Sequence, residues 1–184
     1  TASGFFGEAG ARIIDADKIS REVVMPGTPA FDDIVRFFGR CILRADGKID
    51  RKRLGNIIFN DPGKKARLDA IVHPHVFKRL DERVAHVAAR MSDAVVILDI
   101  PLLIETRAGK DLEEVIVVYV PETIQLERLM ARDGINQEAA QARIRSQMPI
   151  EEKRLCATIV IDNSGSLAHC REQVQSVYHR LKKR

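Results

Sequence analysis

The chain has 184 residues, 45% of them apolar and 30% charged, a balance that suits one compact soluble domain long enough to bury a real hydrophobic centre. No run approaches the roughly eighteen consecutive apolar residues that a membrane span needs, and no secretory pattern precedes the first predicted element. The net charge of +4 arises from 30 basic and 26 acidic side chains mixed along the chain, which argues against a nucleic-acid or membrane-surface binder and suits a small polyphosphate ligand.

In chain order, "TASGFFGEA" predicts a helix stopped at Gly10, followed at once by an apolar run over Ala11–Ile14. Three more such runs, Ala94–Leu98, Glu114–Val120 and Thr158–Ile161, complete a set of four predicted strands. Each is rich in Val or Ile with little alternation, the pattern of strands covered on both faces. About eighty residues separate the first two strands, whereas a plain crossover needs only a dozen or more, so an insertion with its own structure is expected. It opens with "MPGTPAFDDIVRFFG", an amphipathic helix entered through a Pro/Gly turn. A hairpin-like turn at Asp46-Gly47 and a further helix come next. The following stretch predicts two helices broken at His73-Pro74. Beyond the third strand, Leu126, Leu129 and Met130 recur at helical spacing, as do Val174, Val177, Tyr178 and Leu181 near the end. Strands alternating with helices predict an α/β fold with a parallel sheet, and the leading helix before the first strand implies an earlier, fifth strand. The basic "RLKKR" at the end reads as a solvated helix terminus.

Ligands of open parallel sheets collect outside the carboxyl ends of the strands. Acids stand there: Asp15 and Asp17 after the first strand, Asp99 and Glu105 in "LDIPLLIE" after the second, and "IDNSGS" after the fourth. Such acids suit a magnesium–phosphate site, because Mg²⁺ keeps its waters and takes few carboxylates; taken singly, a cap on the helix starting near Lys18 and a plain turn at Asp99 explain them as well, but their coincidence at matching strand ends favours the site. Arg128 and Arg132 share one helix face, and Arg143 and Arg145 follow on a second helix. Planar guanidinium groups suit phosphate oxygens, so the helix pair reads either as a lid over phosphates or as solvated faces offset by Glu127, Asp133 and Glu138. His73 and His75 flank a proline without a third ligand at metal spacing and read as structural. Cys41, Cys156 and Cys170 lie far apart with no metal or redox spacing, so reduced thiols in a cytoplasmic protein are expected.

Taken in order, "IIDADKISREVV", "GKIDRKRLGNIIF", "LDAIVHPHV", "VILDIPLLIE", "VVYVPETIQLERLMARDG" and "IVIDNSGS" resemble the dephospho-CoA kinase family, from Thr1 to about Gly165 and with the final helix following. The resemblance implies a P-loop NTPase-type three-layer α/β fold with five parallel strands. It implies one kinase domain over 1–184, a helical lobe for the CoA-like substrate over about 26–91, and a lid over about 130–155. The implied reaction is ATP-dependent phosphorylation of the ribose 3′-hydroxyl of dephospho-CoA, with Mg²⁺. Asp17 would be the general base, with Arg132 and Arg143 as catalytic lid arginines on the ATP phosphates. Asp15, Arg21, His73, Pro101 and Leu102 would face the acceptor, and Asp99 the metal. Thr1, Asn163, Ser164 and Gly165 would join Arg132 and Arg143 in binding ATP.

One departure stands out: no G-x-x-x-x-G-K-[ST] occurs among these residues. By the family pattern Thr1 falls just after that motif, so the implied first strand and the phosphate loop form one upstream segment, and a chain starting at Thr1 is expected to transfer no phosphoryl group. A monomer or small homo-oligomer is expected, without nucleic-acid or membrane partners. Two other readings compete. Another small-metabolite or nucleoside kinase of the same fold would differ in its preferred acceptor. A non-catalytic nucleic-acid module would need stacking platforms, and the chain has no Trp and only two Tyr.

Overall fold

The structure is a computed structural model and describes residues 1–59, 61–106 and 112–183. Its elements follow the predicted order: α1 (Ala2–Glu8), β1 (Arg12–Asp15), α2 (Ala16–Glu22), α3 (Pro29–Phe38), a 3₁₀ turn (Arg40–Ile42), α4 (Arg51–Phe59), α5 (Pro62–Arg90), β2 (Val96–Asp99), β3 (Ile116–Tyr119), α6 (Glu122–Asp133), α7 (Gln137–Arg145), α8 (Ile150–Leu155), β4 (Ile159–Asp162) and α9 (Leu167–Lys182). β1 pairs with β2, and β3 pairs with β4 in parallel, Ile116 opposite Ile159 and Tyr119 opposite Asp162. The chain divides into two compact units: residues 1–13 with 100–184, and residues 14–99.

The smaller unit holds the insertion, which has its own core of Ile34, Ile42, Ile49 and Leu54, with Phe31, Phe38, Leu68 and Val72 packed against it. Local chemistry sets each helix start. Thr28 caps α3, its hydroxyl accepting from Phe31 N–H at 3.3 Å, with Pro29 in the first turn. Asp50 accepts from the N–H groups of Lys52 and Arg53 to open α4, and these bonds, Arg53 foremost, hold its carboxyl below the ordinary range. Asp61 does the same for α5 through Lys64. The expected turn at Asp46-Gly47 is present: Gly47 has φ 77°, Arg44 N–H donates to Lys48 C=O at 2.8 Å, and Leu43 bridges Ile49 in antiparallel sense.

One expectation fails here. The break at His73-Pro74 does not occur, and α5 runs through Pro74 for 29 residues. Proline removes one internal hydrogen bond, at about 3 kcal/mol in a helix interior, but α2, α3 and α4 all pack along α5, whose Val76 and Leu80 are buried. Continuous packing outweighs the local defect. The helix after the first strand starts at Ala16, near the expected Lys18, with Asp15 as its cap.

In the larger unit the helical stop at Gly10 is a Schellman turn: Ala11 N–H donates to Phe6 C=O at 2.9 Å and Gly10 N–H to Gly7 C=O at 3.0 Å, with Gly10 at φ 108°. α1 packs on α9, where the Arg171 guanidinium lies 4.7 Å from the Phe5 ring centre and 3.3 Å from Glu8. α8 packs on β3 and α9 on β4. The two strands are not wholly covered: Val117 and Ile161 are buried, while their parallel partners Val160 and Val118 are 42% and 38% exposed. Of the basic terminus, Arg180 and Lys182 sit in the last turn of α9, as expected for a solvated helix end; Arg184 lies outside the described residues.

Candidate functional site

β3, α6 and α7 surround a cavity of about 620 Å³ within the larger unit, closed on a further side by α8. Its lining includes Arg128, Arg132, Arg143, Arg145 and Lys153, with Glu122 the carboxylate among them, and Asn163 beyond the end of β4. The cation excess follows from how α6 and α7 are joined. Gly134, at φ 63°, ends α6, and Asn136 caps α7 through Ala139 N–H at 2.9 Å, so two arginine-bearing helices double back on each other.

The arginines are tethered differently. Arg132 and Arg143 both reach Asp133, the former at 2.7 Å. Asp133 is held ionised below the usual carboxylate range by the Arg132 hydrogen bond first, with Arg143 adding to it, and Arg132 is shifted up in return. The offsetting acid anticipated from the sequence is real: Asp133 pairs with both Arg132 and Arg143, whose side chains remain mostly exposed. Arg128 reaches the loop after β4, donating to Asn163 C=O at 2.7 Å and Ser164 C=O at 3.5 Å. That loop is fixed from three sides. Asp162 accepts from Ser164 N–H at 2.8 Å and is kept ionised chiefly by Ser164; Gln173 of α9 exchanges hydrogen bonds with the Asp162 backbone at 2.9 and 2.7 Å. Of the predicted ATP-binding residues, the cavity gathers Arg132, Arg143 and Asn163; Ser164 and Gly165 follow in the same loop, while Thr1 precedes α1 and does not line the cavity.

The smaller unit carries most of the predicted acceptor residues. Asp15 closes β1 and caps α2, accepting from Lys18 N–H at 3.0 Å, so the capping role is its observed one. Asp17, in the first turn of α2, and Arg21, in its last, are exposed. α2 packs on α5, which carries the half-buried His73 edge-on to Phe77, ring centres 6.1 Å apart. Asp99 closes β2, the strand beside β1. Pro101 and Leu102 belong to the turn that follows and are exposed.

Sequence reasoning singled out Arg128 and Glu105 without assigning either to the site, and it passed over Lys153. Lys153 Nζ lies 2.6 Å from Glu105 Oε1, and that oxygen also accepts from Met148 N–H at 3.3 Å. Burial pushes the Glu105 carboxyl up, but Lys153 and the backbone donors bring it net below the ordinary value. A lysine in "IEEKRL" beside two acids carries no signal of this, because its partner lies 48 positions earlier. Among the described residues no group of three His, Cys, Asp or Glu is placed to hold a metal, and no helix is long and apolar enough to cross a membrane. The three cysteines are free, Cys170 buried in α9 and the others exposed.

Parallel strand pairing, helical crossovers and an arginine-lined cavity beside the strand ends define an α/β protein with a site suited to a polyphosphate. The family model described as dephospho-CoA kinase matches residues 1–169. The dephospho-CoA kinase of Carboxydothermus hydrogenoformans is 45% identical over 182 residues, covering 99% of this chain and 88% of that protein; that of Oryza sativa is 41% identical, covering 96% and 76%. Among solved structures, the dephospho-CoA kinase from Campylobacter jejuni superposes with a TM-score of 0.72 at 33% identity, covering 99% of this chain and 92% of that one. TT1252 from Thermus thermophilus gives 0.80 at 31%, covering 97% and 88%. The chain belongs to the dephospho-CoA kinase family, and thereby to the transferases of coenzyme A biosynthesis.

Proposed function

We propose that this protein transfers the γ-phosphoryl group of ATP to the ribose 3′-hydroxyl of dephospho-CoA, giving coenzyme A and ADP. The observation that carries this reading, within a chain of that family, is the cavity holding Arg128, Arg132, Arg143 and Lys153 against Asn163. Guanidinium groups on two helices match the oxygens of a polyphosphate, and the loop at 163–165 suits the base of the same nucleotide. In this reading Asp17 accepts the proton of the attacking hydroxyl, whose oxygen bonds to phosphorus as the bond to the ADP oxygen breaks. Arg21 and His73, on the packed helices α2 and α5, orient the acceptor, assisted by Asp15, Pro101 and Leu102. Arg132 and Arg143 take up charge on the transferred group, and Thr1, Ser164 and Gly165 complete the ATP contacts.

Magnesium suits this donor set: it takes one or two carboxylates and fills its remaining positions with phosphate oxygens and water. No three-ligand cluster is therefore needed. Asp99 would hold it from the protein side, with Asp15 acting through water. Bound with ATP, it neutralises phosphate charge. The protein works in the cytoplasm as a monomer or small homo-oligomer, with ATP and dephospho-CoA as its partners and neither nucleic acid nor membrane among them.

A coupled assay of ADP release with dephospho-CoA as acceptor, run on a chain that carries the upstream phosphate loop, tests the reading. Asp17→Asn is expected to lower kcat by at least about 100-fold with dephospho-CoA binding retained by calorimetry. Near-normal turnover by that variant refutes the assignment of Asp17, and a faster reaction with a simple nucleoside acceptor refutes the substrate.

A further inference from the structure

We propose that Glu105 and Lys153 act as a positioning pair that anchors the far wall of the nucleotide cavity and so sets where Arg143 stands over the phosphates; this rests on the kinase reading above. Among the ion pairs of the described residues, theirs is the one in which both side chains are less than a quarter exposed, Lys153 at 13% and Glu105 at 21%. Every other pair has at least one partner more than 45% exposed. The pair ties three pieces of chain. Glu105 follows β2; its Oε1 holds Met148 N–H in the α7–α8 connection and Lys153 on α8, and Lys153 donates onward to Gln147 at 3.4 Å. Gln147, Met148 and Lys153 all line the cavity with Arg143, and Ser146 Oγ donates back to Arg143 C=O at 2.7 Å, so the knot is continuous with the arginine.

Stability does not account for such a pair. Two charges withdrawn from water recover little more than their desolvation, and an apolar pair of similar volume serves a core at least as well. The second oxygen, Glu105 Oε2, is shut off from water without a hydrogen-bond partner, which adds to the cost. What the ionic pair supplies is direction. A charged donor and acceptor fix the connection at one place, whereas apolar contacts would let it slide.

ATP binding measured by calorimetry without acceptor, together with steady-state kinetics, tests this. Glu105→Gln and Lys153→Met are each expected to raise the Kd for ATP about tenfold, the double variant no further than either single, because both remove one linkage. KM for dephospho-CoA is expected to stay within about twofold of the parent, and Lys153→Arg to recover ATP affinity to within about threefold. Unchanged ATP affinity in the single variants, additive losses in the double, an equal rise in acceptor KM, or unfolding of all variants including Lys153→Arg would each overturn the proposal. If a parent chain that carries the upstream phosphate loop binds ATP yet turns over no dephospho-CoA, the kinase reading fails while the comparison of Kd values still judges the pair.

Discussion

At the residue scale the larger unit depends on Gly10. Its φ of 108° is open to glycine, and a Cβ added there would meet the Tyr178 hydroxyl of α9 at 2.9 Å. Gly10→Ala is therefore expected to cost at least about 1–2 kcal/mol, read as a lower melting temperature, with the α1–α9 packing the first to loosen. Asp133 is a contrasting case. Its ion pairs are solvent-accessible, so their worth to stability is small; their worth lies in where they hold Arg132 and Arg143. Asp133→Asn is expected to shift the melting temperature little but to change ATP affinity and its salt dependence. The pH dependence follows from the sign of the shift. A carboxyl depressed in the folded state contributes stability fully above its unfolded pKa, near 3.9. That contribution disappears as pH falls through the lower folded value. Acid titration of the parent, followed by circular dichroism, is expected to show a loss below about pH 4 that Asp133→Asn lacks in part.

At the element scale α5 is the informative one. Pro74 leaves the Ala70 carbonyl without its usual helical donor, and packing by α2, α3 and α4 keeps the helix whole. Pro74→Ala restores that donor and is expected to stabilise by up to about 3 kcal/mol, seen as a higher melting temperature. A lower one would show that Pro74 is matched to its surroundings. A cap acts locally: Thr28-Pro29, Asp61-Pro62 and Asn136 each open a helix within three residues, and of these the sequence reading used only the Pro/Gly entry to α3. The misread break at His73-Pro74 has the converse cause. Proline's local preference is visible in the sequence, whereas the apolar faces that override it come from helices tens of residues earlier.

At the scale of the whole molecule, ligands and stability are linked. ATP with magnesium at about 100 times its Kd should stabilise the protein by about 2.7 kcal/mol, and thermal shift measures this directly. Dephospho-CoA should do the same independently, whereas nucleic acid should not. The sequence by itself determined the order of strands and helices, the acids at the strand ends and the family signature, because periodicity, caps and short motifs act within a few residues. Only the tertiary structure decided that Asp133 crosslinks Arg132 to Arg143, that Arg128 grips the carbonyls of Asn163 and Ser164, and that Lys153 pairs with Glu105. Those partners stand up to 48 positions apart, and what joins them is the packing of helices against strands, which no local window contains.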